Sequence, residues 1–189
     1  MSPLSSRRIS RLTESDIDRL MAHTSNDRSL QDLHDVVMIV NHTGARLIEV
    51  LRLRWSDIDM ERRRFILVSK RRRTRLVPFG FRTLAMLEAR RERQPNANCV
   101  FEASAALAPK LSAHLRKVCS KLDIADGTFR TLRHTFAWRL ATSGECGALY
   151  YMLGGRSPFK SLISPEAKFE LAARDQAKLE DALSGGPEK

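Results

Sequence analysis

The chain has 189 residues, 42% hydrophobic and 29% charged, a composition too apolar for a disordered chain and a length suited to one hydrophobic core. Its 33 Lys and Arg against 22 Asp and Glu leave a formal charge of +11, which points to nucleic acid before an acidic lipid surface, because the cations are not gathered on one long amphipathic helix. No apolar run approaches the roughly 18 residues that span a bilayer and Met1–Arg8 lacks a signal-peptide core, so no membrane helix is expected and the cytoplasm is the expected location.

Residues 1–11 read as a flexible basic lead-in. Thr13-Glu14-Ser15-Asp16 offers an N-cap threonine with acids in the first turn, which predicts a short helix to about Ala22. Beyond the polar break Thr24-Ser25-Asn26-Asp27, the stripe Leu30, Leu33, Val36, Val37 and Val40 predicts a second helix, ended at Gly44 by the left-handed turn that glycine favours. Ala45 to Leu53 reads as short and helical, with Ile48, Leu51 and Trp55 inward. Arg46 follows the glycine turn at a rigid junction from which a guanidinium fork can be aimed at a phosphate, with Glu49 three residues on to orient it. The alternative for these two residues is an exposed ion pair of little energetic weight.

Ser56-Asp57-Ile58-Asp59 breaks the helix. Arg64–Ser69 then reads as a strand, Lys70-Arg71-Arg72-Arg73 as a cationic turn, and Thr74–Pro78 as the return strand of a hairpin. Such a tip is expensive to pack and cheap to solvate, so it either stands in water or meets phosphate. In the second case Lys70, Arg71, Arg72, Arg73 and the following Arg75 are candidate DNA contacts, and one lysine could act as a general acid.

Phe79 to Arg93 reads as a helix with Leu84, Leu87 and Ala85 inward, and with Arg90, Arg91 and Arg93 at its far end, where cations suit the dipole. Val100-Phe101 reads as a short edge strand, Leu111–Leu122 as a helix, and Asp123–Gly127 as a break. Phe129, Leu132, Phe136 and Leu140 recur at steps of three and four, the spacing of one buried helical stripe. Arg130 and Arg133 lie three apart and can point at one ligand; on periodicity alone they form a solvated edge. Cys146 to Leu153 reads as a short apolar helix stopped by Gly154-Gly155. Ser164-Pro165-Glu166 starts a last helix running to about Leu183, with Ser164 as N-cap and proline in the first turn. Cys99, Cys119 and Cys146 contain no Cys-x-x-Cys pair and read as reduced, mostly structural thiols; no metal site is expected. With no repeat or linker, residues 12–184 form one expected domain, residues 185–189 a tail, in an α+β fold that is mainly α-helical.

Four stretches now combine. Thr43-Gly44-Ala45-Arg46-Leu47-Ile48-Glu49-Val50-Leu51-Arg52-Leu53-Arg54-Trp55-Ser56-Asp57-Ile58-Asp59 resembles the first signature box of the tyrosine recombinase (phage integrase) family, and Leu132-Arg133-His134-Thr135-Phe136-Ala137 resembles the second. The lysine, basic turn and Val-Pro strand end are similar to the family's β-hairpin, and Leu153-Gly154 matches the start of its third box. The resemblance covers nearly the whole chain from about Leu12, in the family's order. It implies the tyrosine recombinase catalytic-domain fold with a small antiparallel β-sheet, double-stranded DNA as partner, and DNA integration or site-specific recombination without metal or nucleotide cofactor. Family members cut by attack of a tyrosine hydroxyl on phosphorus, forming a 3′-phosphotyrosyl bond that a DNA hydroxyl later reverses. By position, Arg46 and Arg133 match the arginines that clamp the scissile phosphate, and Lys70 matches the hairpin lysine that protonates the leaving 5′-oxygen.

Three positions depart from the family pattern. Arg130 stands where the family usually has histidine, and Gly155 where it has histidine or tryptophan. The nucleophile position falls on Ser164 when counted without gaps, or near Lys160 or Phe159 when anchored on the Leu-Ser-Pro-Glu that often follows the family's tyrosine. Ser164 has no adjacent base and is explained as a helix cap; Tyr150 and Tyr151, the chain's tyrosines, precede the third box. The leading expectation is a DNA-binding member with a phosphate pocket but defective strand cleavage. The alternatives are an active recombinase using Tyr150, Tyr151 or a tyrosine in trans, and a non-enzymatic regulator or scaffold whose helix 165–183 docks on another copy. A generic RNA binder is disfavoured by an aromatic content of only 6%, which leaves few rings for base stacking. The family's amino-terminal DNA-clamping domain is expected to be absent.

Overall fold

The computed structural model describes residues 11–68, 74–102 and 106–142. Helix α2 (Gln31–Thr43) buries Leu33, Val36, Val37, Ile39 and Val40, too many for one face, so neighbours must cover it from several sides. They are α1 (Glu14–Ser25), α3 (Leu47–Val50), α4 (Phe81–Arg93), α5 (Leu107–Lys121) and α6 (Phe129–Thr142), all packed on α2. The strands β1 (Ile58–Asp59), β2 (Arg64–Val68) and β3 (Thr74–Pro78) form an antiparallel sheet in the order β1-β2-β3. The expected mainly helical α+β architecture is therefore present. Among the described residues no helix is long and apolar enough to cross a membrane.

Helix α1 begins at the expected cap. Thr13 Oγ1 accepts the Asp16 N–H at 3.1 Å and the Asp16 carboxylate accepts the Thr13 N–H at 3.0 Å, a reciprocal box worth about 1 kcal/mol. The helix continues past Ala22 to Ser25, because Leu20 and Thr24 are buried and the Thr24 hydroxyl donates back to the Leu20 carbonyl at 2.9 Å. Helix α2 ends as expected at Gly44, whose φ of 62° is left-handed and whose N–H donates to the Val40 carbonyl.

The next segment differs from expectation. Helix α3 is a single turn in which Ile48 is 44% exposed while Glu49 is 3% exposed. Successive helical residues lie about 100° apart, and a buried cationic partner for Glu49 turns Ile48 outward. Leu51 is buried, as expected, and Trp55 is partly buried. On the hairpin, Phe65 and Leu67 of β2 and Arg75 and Val77 of β3 are buried, with Leu67 opposite Arg75 and Phe65 opposite Val77. Three apolar side chains and one arginine thus share the protected side.

Helix α4 buries Thr83, Met86, Leu87 and Arg90, while Ala85, expected inside, is exposed. Arg90, in the last turn where a cation suits the dipole, is also buried. It is 3% exposed and donates to Asp35 and Asp32 of α2, each at 2.8 Å, and to the Val100 carbonyl. Val100 and Phe101 are buried without forming a strand; the contact is an isolated bridge between Arg54 and Cys99 beside the Val100 N–H bond to the Leu53 carbonyl at 3.0 Å. Cys119 on α5 is buried, and a methyl group on Gly127 would stand 2.2 Å from its sulfur, so only glycine fits at the turn into α6. On α6, Phe129, Leu132, Phe136 and Leu140 are buried, as their spacing predicts.

Candidate functional site

The centre of the site is the Glu49 carboxylate. Its Oε1 accepts Nη1 of Arg46 at 3.0 Å and Nη1 of Arg75 at 2.8 Å; its Oε2 accepts the Arg46 backbone N–H at 2.8 Å and Nη2 of Arg75 at 2.7 Å. Each oxygen therefore holds two donors, and Arg75 engages it with a parallel fork. Arg46 enters from the residue that starts α3, in an extended conformation two positions beyond the left-handed Gly44. The expected role of Glu49 as an orienting group thus has its geometry here, with a buried carboxylate rather than a surface pair.

Arg133 comes from α6, which α2 positions across the core. Its Nη1 donates to the Gly44 carbonyl, at the end of the turn that leads to Arg46. Burial, then the charges of Arg46 and Arg75, bring the Arg133 guanidinium down to about 10, with Glu49 opposing; it stays a cation at neutral pH. At Glu49 burial pushes the carboxyl up, but the hydrogen bonds and charge of Arg75, with those of Arg46, outweigh it and bring the group to about 2. Three arginines around one carboxylate leave a local surplus of positive charge, preorganised by buried contacts. Arg46 keeps 48% of its side chain exposed, so a ligand can reach it.

Arg130 and Arg133 take different surroundings despite their spacing. Arg130 is exposed and its Nε donates to His134 Nε2 at 3.3 Å. Burial, then the positive charges of Arg130 and Arg133, hold His134 below the ordinary histidine range, which suits an imidazole that accepts a hydrogen bond. Arg75, counted from the sequence with the cationic tip, is 7% exposed on the protected side of the sheet. Its alternation with Val77 along β3 was a usable signal for that burial. Lys70, Arg71, Arg72, Arg73, Tyr150, Tyr151, Gly155, Ser164 and helix 165–183 lie outside the described residues.

Comparison with known proteins places this geometry in context. The sequence model of the phage integrase family matches residues 10–157. Tyrosine recombinase XerC of Xanthomonas axonopodis pv. citri (strain 306) is 32% identical over 120 residues, which span 59% of this chain and 39% of that protein. Among solved structures, the integrase from mycobacterium phage Brujita is similar with a TM-score of 0.73 at 16% identity, covering 95% of this chain and 60% of that one. XerA recombinase gives a TM-score of 0.68 at 20% identity, covering 95% of this chain and 66% of that one. The Tn1549 transposon integrase in complex with circular intermediate DNA gives 0.68 at 19% identity, covering 93% and 66%. The chain spans about two fifths of the curated relative and less than two thirds of each of these solved chains. At these identities the structural likenesses establish the fold.

Proposed function

As the chain belongs to the phage integrase family, we propose that it binds double-stranded DNA in site-specific recombination, holding a backbone phosphate between Arg46 and Arg133, and that it does not cut DNA on its own. The observation that carries the reading is the convergence of Arg46 and Arg133, from α3 and α6, on the turn at Gly44 and the carboxylate of Glu49. Fixed guanidinium groups with surplus positive charge are the donors that a phosphodiester needs, and they act without metal. Lys70, by its place in the hairpin, is the residue proposed to meet the leaving oxygen. The absence of cleavage rests on the sequence: the nucleophile position carries no tyrosine in either register, and Arg130 supplies fixed charge where a proton-exchanging histidine is usual. Arg71, Arg72 and Arg73 supply further phosphate contacts, and helix 165–183 is the proposed surface for self-association.

A nicked suicide duplex, which traps any covalent protein–DNA bond, tests the reading. The expected result is a retarded complex in a native gel and no species that survives denaturation. A denaturant-resistant adduct would overturn the non-cutting half, and its loss on changing Tyr150 and Tyr151 to phenylalanine would assign the nucleophile.

A further inference from the structure

We infer that Arg75 is a positioning residue of the phosphate pocket: by gripping both oxygens of Glu49 it fixes the carboxylate that orients Arg46, and it makes no phosphate contact of its own. This rests on the proposed role of Arg46 and Arg133, and it removes Arg75 from the cations of the hairpin that meet DNA.

Three observations carry it. The Arg75 side chain is 6% exposed, against 48% for Arg46, so the two guanidinium groups bound to one carboxylate differ in access to a ligand. Both terminal nitrogens of Arg75 donate to Glu49 in a bidentate fork. The inward-facing position on β3 is otherwise apolar, with Phe65, Leu67 and Val77 on the same side. A buried ion pair is a weak stabiliser compared with a packed apolar pair, so stability alone is a poor reason to place an arginine there; fixing one geometry is a better one. With Arg75 in place, Glu49 divides its lone pairs between two cations, and Arg46 is held by one side-chain bond and one backbone bond while the rest of its guanidinium faces outward. Without Arg75, Glu49 would face only Arg46 from its own turn and Arg133 from α6, and would draw the Arg46 guanidinium onto itself.

The test is a binding cycle with a labelled random-sequence duplex over a salt series, using Arg46→Ala, Arg75→Met, Glu49→Gln and their pairwise combinations in the full chain. Arg75→Met is expected to weaken binding about ten-fold, the loss of one charge-assisted contact, and to cost nothing further in the Arg46→Ala background. Adding Glu49→Gln to Arg75→Met is expected to restore part of the binding, because a neutral amide no longer draws Arg46 onto itself, although it cannot orient Arg46 as the carboxylate does. A pH series gives a second readout: Arg75→Met should recover affinity as Glu49 takes a proton under mild acid, a recovery that the unaltered chain should not show. Independent, multiplying losses from Arg46→Ala and Arg75→Met would show direct contact and overturn the inference. So would a lowered melting temperature with unchanged affinity, which marks a merely structural pair. If Arg75→Met does not fold, the doubly neutral Glu49→Gln/Arg75→Met protein leaves no orphan charge, and it should match Glu49→Gln alone. If Arg46→Ala itself leaves binding untouched, the phosphate pocket fails rather than the relay.

Discussion

Arg133 donates a hydrogen bond to the carbonyl of Gly44, a residue 89 positions earlier in the chain. The contact joins the helix of the second signature box to the turn of the first. It means that the φ of 62° at Gly44 serves two arginines, setting the entry of Arg46 into α3 and offering a carbonyl to Arg133.

Gly44→Ala should therefore affect both stability and binding. A side chain in the left-handed region costs about 1 kcal/mol, which for a chain of this size lowers the melting temperature by about 2–4 °C. The same change shifts the Gly44 carbonyl, so DNA affinity per folded molecule should also fall. Calorimetry and filter binding on the same preparation would check both.

Arg90→Ala should be far more destabilising without touching the pocket. It strips a 3% exposed cation from Asp35, Asp32 and the Val100 carbonyl, leaving the fully buried Asp35 without its main partner. Breaking a buried pair from one side costs about 3–5 kcal/mol. Urea unfolding should show the loss, and DNA affinity corrected for the folded fraction should stay the same.

Two acid transitions should separate by residue. Burial, then the charges of Arg82 and Arg139, hold His42 at about 4, below its ordinary 6.5. A base whose folded value is depressed contributes stability fully above its unfolded value, and loses it as the pH falls from about 6.5 to about 4. Glu49, at about 2 against an ordinary 4.5, contributes stability fully above about 4.5 and loses it as the pH falls towards 2. Melting temperature measured against pH should flatten in the upper window for His42→Gln and in the lower window for Glu49→Gln.

Gly127→Ala should disturb the turn into α6. The added methyl would meet the Cys119 sulfur at 2.2 Å and its Cβ at 2.6 Å, so overpacking of about 1–3 kcal/mol is expected. Chemical denaturation would measure it. Cys119→Ala in the same chain should relieve only part of the loss, because the Cβ contact remains.

The features legible in the sequence are those written in neighbouring residues. Thr13 with Asp16, the α2 stripe ending at Gly44, and the α6 stripe from Phe129 to Leu140 all depend on local spacing, and each appears as read. Arg46, Glu49 and Arg133 were legible as types at fixed offsets within two boxes. The environment of the charges was not legible, because burial of an ionised side chain depends on a partner far away in sequence. Arg75 reaches Glu49 across 26 positions and Arg90 reaches Asp35 across 55, so local spacing offers Arg75 as a DNA contact and Arg90 as a helix-end cation without revealing that either is buried. Ile48 was misplaced for the same reason, since hydrophobicity favours it inward until Glu49 is known to be buried.

The proposed phosphate pocket is tested most directly by the salt dependence of duplex binding for Arg46→Ala and Arg133→Ala beside the unaltered chain. Each substitution should weaken binding across sequences and reduce the slope of log affinity against log salt by about 1, the signature of one lost phosphate contact. Slopes and affinities unchanged by both substitutions would contradict a phosphate held between Arg46 and Arg133.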